Sequence, residues 1–150
     1  MKRKILINGL ERELEFTAGE SLAKTLRKHG YLSVKEGCNT SSCGLCSVWL
    51  DGKPVLSCSL LTARVEGSAI TTLEGMQEEA EEFAQFMIAE GAEQCGFCAP
   101  GFTMTVLAMK RVLTNPTAES INHYLAGNLC RCSGYKGQLR AITKYMGVAL

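Results

Sequence analysis

The chain has 150 residues, is 46% hydrophobic and is close to neutral, with sixteen basic against fifteen acidic side chains and a formal charge of +1. That length supports one ordinary core or two small ones. No basic excess points to nucleic acid, no acidic tail points to disorder, and no apolar run reaches the ~18–20 residues that a bilayer-spanning helix needs.

The start, Met1 to Gly9, is basic, but its apolar run is too short for a signal peptide. A soluble, cytoplasmic protein is therefore expected. Lys4 to Ile7 reads as a short strand, and Asn8-Gly9 favours a tight hairpin turn because both residues tolerate positive φ. Leu14 and Phe16 alternate with charged neighbours, as on a half-buried return strand. Ser21 to His29 places Leu22 and Leu26 on one helical face, and Gly30 supplies the stop. Ser47 to Leu50 and Val55 to Ser57 flank Asp51-Gly52, a second hairpin signal, and Ile70 to Leu73 adds a further strand. Hairpin, helix and further strands is the element order of a β-grasp domain, as in plant-type ferredoxins.

The second half reads as helical. Glu78 to Glu90 gathers Phe83, Phe86 and Met87 on one face, and Thr103 to Leu113 does the same with Val106, Met109 and Val112 or Leu113. Asn115-Pro116-Thr117 opens a third helix, with Thr117 as its N-cap, running to about Ala126. Gln138 to Val148 forms a fourth. Cys95 and Cys98 then precede the second of these helices, and Cys130 and Cys132 lie between the third and fourth. Helix starts carry free N–H groups and partial positive charge, which suits an anionic group.

Eight cysteines fall without interleaving into Cys38, Cys43, Cys46, Cys58 and Cys95, Cys98, Cys130, Cys132. Disulfide frameworks belong to short secreted domains, so metal or cluster binding is the expected use here. A cluster draws its ligands into one site. Each quartet is thus expected to organise its own domain, the overall class being α+β. Residues 1–75 are expected to make an N-terminal β-grasp, plant-type ferredoxin domain, and residues 76–150 a C-terminal all-α, four-helix domain around the second quartet, which the family resemblance of its neighbouring residues makes a [2Fe–2S] domain.

The two quartets differ in how much their spacing says. Cys38-x4-Cys43-x2-Cys46 followed by a distant Cys58 matches the plant-type [2Fe–2S] pattern. Gly37 and Gly44 permit a loop that wraps the cluster, Asn39 to Ser42 are small, and Cys58 arrives from the end of a hairpin strand. A zinc site more often shows two short Cys-x2-Cys pairs. The second quartet, Cys95-x2-Cys98-x31-Cys130-x-Cys132, leaves zinc and a cluster both open. Cys-x-Cys crowds a single metal, and a two-iron cluster relieves that crowding.

The neighbouring residues go further. Glu36-Gly37-Cys38 through Cys43-Gly44-Leu45-Cys46, Gln94-Cys95-Gly96-Phe97-Cys98-Ala99-Pro100-Gly101 and Gly127-Asn128-Leu129-Cys130-Arg131-Cys132-Ser133-Gly134-Tyr135 resemble the signature segments of one family. It is the small iron–sulfur subunit, or N-terminal region, of the xanthine dehydrogenase/aldehyde oxidase molybdenum hydroxylases, and the resemblance spans essentially the whole chain. The chain departs from it at Ala99 and Ser133, where the family favours Thr, and at Lys136-Gly137-Gln138-Leu139, where an x-x-Ile step is common.

The resemblance implies two [2Fe–2S] clusters with the eight cysteines as ligands. It implies a large partner subunit holding a molybdenum–pterin cofactor beside the helical cluster, and FAD on a medium subunit, or another acceptor, beyond the first cluster. Gln94 would hydrogen-bond the pterin, and Cys132 would both ligate iron and touch it. Electrons would pass from molybdenum through the second quartet and then the first. The substrate pocket would lie on another chain, with purines, other N-heterocycles, aldehydes and carbon monoxide all open.

A free-standing two-cluster ferredoxin is the alternative, against which the helical half with Gln94 and the Cys130-Arg131-Cys132 loop stands. No nucleic-acid or membrane partner is expected, and no acid–base or nucleophile constellation is visible. His29 and His123 read as surface residues, Met87, Met104 and Met109 as core fillers, and Trp49 as a packing residue. Glu78, Glu79, Glu81 and Glu82 read as a solvated helix face. Arg131, wedged between two cysteines, is a candidate for tuning or pairing with an anionic cluster.

Overall fold

A computed structural model describes residues 1–148. The first half is a five-stranded mixed sheet in the order β2-β1-β5-β3-β4. Its strands are β1 (Lys2–Ile7), β2 (Leu10–Glu15), β3 (Ser47–Leu50), β4 (Lys53–Leu56) and β5 (Ala69–Thr71). β1 pairs antiparallel with β2 and parallel with β5, and β3 pairs antiparallel with both β4 and β5. Asn8 and Asp51 take φ of 52° and 49° ahead of their glycines. These are the two hairpin turns that Asn-Gly and Asp-Gly specify.

Helix α1 (Leu22–Lys28) shares a core with the sheet, its Leu22, Ala23 and Leu26 clustering with Ile5, Ile7, Val48 and Ile70 of the strands and with Phe16 just beyond β2. Ser21 caps it by accepting from the Lys24 N–H. At its other end His29 accepts from the Glu15 N–H through Nε2 and hydrogen-bonds the Thr25 carbonyl through Nδ1. The histidine thus ties the helix end to β2, a structural role rather than a plain surface one.

Four helices form the second half: α2 (Gln77–Ala89), α3 (Ala99–Val112), α4 (Ala118–Tyr124) and α5 (Lys136–Tyr145). Helix α3 begins four residues before the start that apolar periodicity suggests. Pro100 sits in its first turn, where the missing N–H costs nothing. The segment after Cys98 is therefore already helical. Thr117 caps α4 in a reciprocal capping box with Ser120.

The helical core gathers Phe83, Phe102 and Tyr145, with ring centroids 6.1 and 5.1 Å from Phe83, along with Met87, Met104 and Met109. Of the acidic run on α2, Glu79 pairs with Arg111 at 2.7 Å and Glu82 with Lys110 at 3.9 Å. Half of that run thus faces α3 rather than solvent alone. Glu90 closes the bundle by holding Arg140 at 2.7 Å and Lys144. Among the described residues no helix is long and apolar enough to cross a membrane.

Trp49 joins the two halves. It leaves β3, is 2% exposed, and belongs to the helical core rather than to that of its own sheet. Its indole N–H donates to the Met104 carbonyl at 2.9 Å, and the Arg111 guanidinium lies 4.3 Å from its ring. Near the change from sheet to helices, Asn8 accepts from the Thr72 N–H, and Glu74 accepts from the Ser33 N–H and hydroxyl. Replacing Trp49 with Ala should cost about 3–5 kcal/mol by emptying a filled site. Thermal unfolding should then split into two transitions or fall steeply; an unchanged single transition would show that Trp49 does not couple the halves.

Candidate metal centres

The first quartet sits on the loop from Cys38 to Cys46 and on the short 3-10 turn Ser57–Ser59 that follows β4. Strand β4 ends at Leu56, so Cys58 is presented by that turn and not by the strand itself. Ser57 fixes the turn by donating to the Cys46 carbonyl through both its N–H and its hydroxyl, at 3.3 and 2.7 Å. The Cys58 thiol is thereby brought against Cys46, and it donates to the Ser41 hydroxyl at 3.4 Å. Within the loop Ser41 has φ 54° and Gly44 φ 76°, left-handed conformations that bend the chain around the site.

The second quartet is assembled from three helix boundaries. Cys95 lies in the loop after α2, Cys98 directly precedes α3, and Cys130 and Cys132 fall between α4 and α5. Tyr135, with φ 67°, stands immediately before α5. Its hydroxyl accepts from the Cys130 N–H at 3.1 Å. A non-glycine residue held in that conformation carries local strain, here accompanied by a hydrogen bond to a candidate ligand. The Ser133 N–H donates to the Cys130 sulfur at 3.3 Å.

In both quartets the thiols approach in twos. Cys38 lies with Cys43, and Cys46 with Cys58. Cys98 lies with Cys130, and Cys132 stands 3.6 Å from Cys95. Among the described residues no three His, Cys, Asp or Glu groups close on one point. Two pairs per quartet is the arrangement a two-iron cluster needs, since each iron takes two protein sulfurs.

Backbone donors already surround the sulfurs. The N–H groups of Ser42, Thr40 and Cys43 hold the Cys38 thiol down to about 6. Burial pushes Cys46 up to about 11 and Cys98 up to about 12. The donors around Cys38 favour a thiolate and so favour a ligand, while the buried thiols lose their protons only to a metal. The residues present therefore fit the group that the cysteine spacing implies.

The two centres touch through backbone. The Leu129 N–H donates to the Cys43 carbonyl at 2.9 Å, and Leu129 adjoins Cys130. Asn128 donates through Nδ2 to the carbonyls of Gly44 at 3.3 Å and Gly101 at 3.4 Å. No side chain fits in this seam. A Cβ on Gly44 would lie 2.4 Å from the Gly127 oxygen, and one on Gly101 would lie 2.5 Å from the Gly44 oxygen. Asn128, Gly101 and Tyr135 lie within the signature segments that carry the family resemblance, but their individual roles emerge only from these contacts.

The remaining candidates are placed as follows. Gln94 is exposed, and its Nε2 donates to the Cys132 carbonyl at 3.1 Å. Arg131 is exposed and borders the groove between the two quartets, together with Cys38, Cys43, Phe97 and Leu129. His123 is exposed in the last turn of α4.

Known proteins match this chain over most of its length. A family model described as a 2Fe-2S iron-sulfur cluster binding domain matches residues 5–82, and one described as a [2Fe-2S] binding domain matches residues 72–143. The xanthine dehydrogenase iron-sulfur-binding subunit of Escherichia coli O157:H7 is 43% identical over 137 residues, covering 87% of this chain and 84% of that protein. The nicotinate dehydrogenase small FeS subunit of Eubacterium barkeri is 39% identical, covering 86% and 84%.

Among solved structures, quinoline 2-oxidoreductase from Pseudomonas putida 86 superimposes with a TM-score of 0.90 at 32% identity, over 97% of this chain and 92% of that one. The aldehyde oxidoreductase of Desulfovibrio gigas gives 0.86 at 35% identity, over 98% of this chain and 17% of that longer one.

In protein stripped of metal, iodoacetamide should alkylate Cys38 first at pH 7, because a thiol titrating at about 6 is then mostly thiolate. Cys46 and Cys98, at about 11 and 12, are protonated at that pH and should react last. Peptide mass spectrometry over time reads the order, and equal rates at all three would contradict it.

Proposed function

Since the chain belongs to the family of small iron–sulfur subunits of xanthine dehydrogenase- and aldehyde oxidase-type oxidoreductases, we propose that it carries two [2Fe–2S] clusters as the electron relay of a molybdenum hydroxylase complex. Electrons enter from a molybdenum–pterin centre on a large partner subunit and leave toward FAD on a medium subunit, or toward another acceptor. The two cluster-binding units are residues 1–75 and 76–150, and the cytoplasm is the proposed location.

The observation that carries this reading is the pairing of thiols within each quartet. The proposed ligands are Cys38 and Cys43 for one iron and Cys46 and Cys58 for the other. In the second site they are Cys95 with Cys132 and Cys98 with Cys130. A [2Fe–2S] cluster supplies one-electron uptake and release with little rearrangement.

The chain's own residues define the rest of the task. Gln94 steadies the Cys132 carbonyl and, being exposed, keeps amide capacity for a pterin. Cys132 stands beside it as ligand and as contact to that cofactor. Phe97, Leu129 and Tyr135 are large side chains left about half exposed around the second quartet, a surface that suits burial against the large subunit. Cys38 and Cys58 border a polar cavity with Asn39 and Ser41, and this is the surface proposed to meet the acceptor. The Leu129 N–H to Cys43 carbonyl hydrogen bond joins the two sites and is the proposed route of the relay's internal step.

Native purification should yield a complex that contains molybdenum. This chain should carry about four iron and four acid-labile sulfide, with two EPR signals on reduction. Cys38→Ser should abolish one signal and Cys98→Ser the other, each roughly halving the iron. Zinc in place of iron, with no sulfide, would overturn the proposal.

A further inference from the structure

Gln138 lies in the first turn of α5 and is 3% exposed, yet its Oε1 is a buried side-chain oxygen with no hydrogen-bond partner. An unpartnered buried amide oxygen is costly, and native structures rarely keep one without a reason. Gln138 lines one narrow cavity together with all four cysteines of the second quartet. It also borders a second cavity of about 320 Å³ along Phe102, Asn122, Leu125 and Leu139. The amide therefore stands between a cysteine-lined cavity and a space with room for water. At this position the family resemblance leads one to expect an apolar residue, so packing alone does not call for an amide.

We propose that Gln138 is a tuning residue of the second cluster, its side-chain N–H donating to a sulfur of that site while its oxygen turns to the neighbouring cavity. A half-turn about the last side-chain torsion exchanges the amide nitrogen and oxygen with almost no change in shape. Cysteine sulfurs and sulfides bound to iron are acceptors only, and a carbonyl oxygen facing them would meet like charge. The nitrogen is thus the end that fits.

Reduction adds one electron to the site and breaks no bond. A donor to sulfur gains strength as that negative charge grows, so Gln138 favours the reduced form. The consequence is a second site with a higher potential than an apolar residue would give, and a better receiver of electrons from its partner subunit. Gln138 acts through the cluster and touches no substrate.

This inference rests on the assignment of Cys95, Cys98, Cys130 and Cys132 as ligands of a [2Fe–2S] cluster. The test is an EPR-monitored redox titration of the purified complex as wild type, Gln138→Met and Gln138→Leu. Met keeps the length of the side chain and removes the donor. The reduced-to-oxidised ratio of the second signal should fall about tenfold at fixed potential in both variants, ~59 mV for one electron. The first signal should stay in place.

An unmoved second potential, a rise instead of a fall, or equal movement of both signals would overturn the inference while leaving the two-cluster reading intact. Absence of the second signal from the wild type would overturn both. If neither variant retains the cluster, a crystal structure of the loaded wild-type complex decides. A Gln138 side-chain nitrogen within hydrogen-bonding distance of a sulfur of the second site supports the inference, and an amide turned away overturns it.

Discussion

The arrangement depends on a backbone-to-backbone seam between two cysteine-bearing segments. Gly44 and Gly101 leave no space for a side chain, so the carbonyls of Gly44 and Cys43 come within reach of Asn128 and the Leu129 N–H. Peptide groups buried in such a seam must be paired: the Leu129 N–H takes the Cys43 carbonyl, and the Asn128 side-chain amide takes those of Gly44 and Gly101. The same bonds that meet this requirement bring one proposed ligand, Cys43, within a hydrogen bond of the residue before another, Cys130. Hydrogen-bond satisfaction and the nearness of the two quartets share one solution.

The rest of the fold holds that seam in register. Trp49 carries the sheet into the helical core with a buried hydrogen bond to Met104. Arg111 covers its ring and is itself held by Glu79 of α2. Helices α2 and α5 are clamped by Glu90 with Arg140 and Lys144. Each link spans elements whose ends carry cysteines, so the helical half is a frame for four sulfurs as much as a core. The thiols differ in the protonation state that their surroundings favour. Burial favours their neutral form at Cys46 and Cys98, while backbone donors favour the anion at Cys38. Iron bound as proposed would replace the protons and so couple loading of the sites to their final geometry.

Much of this was legible in the chain of residues. Asn8-Gly9 and Asp51-Gly52 specified both hairpins because few other pairs tolerate positive φ. Thr117 specified the start of α4. The start of α3 was misplaced because Pro100 and Gly101 disguise a helix that proline suits at its first turn. His29 and the acidic run on α2 looked like surface, and tertiary contacts gave them partners on β2 and α3. A side chain's partner across the fold leaves no periodic trace in sequence.

The sequence by itself determined the two quartets, the plant-type spacing of the first, the α+β order of elements and the family resemblance. These are local properties, set by spacing along the chain and by turn and cap chemistry. Only the tertiary structure decided which cysteine pairs with which, that Cys43 and Leu129 meet, and that Gln138 lies beside four cysteines with its oxygen unpartnered. Those facts join residues tens of positions apart. Their proximity follows from how sheet and helices pack, and packing is a property of the whole chain rather than of any segment in it.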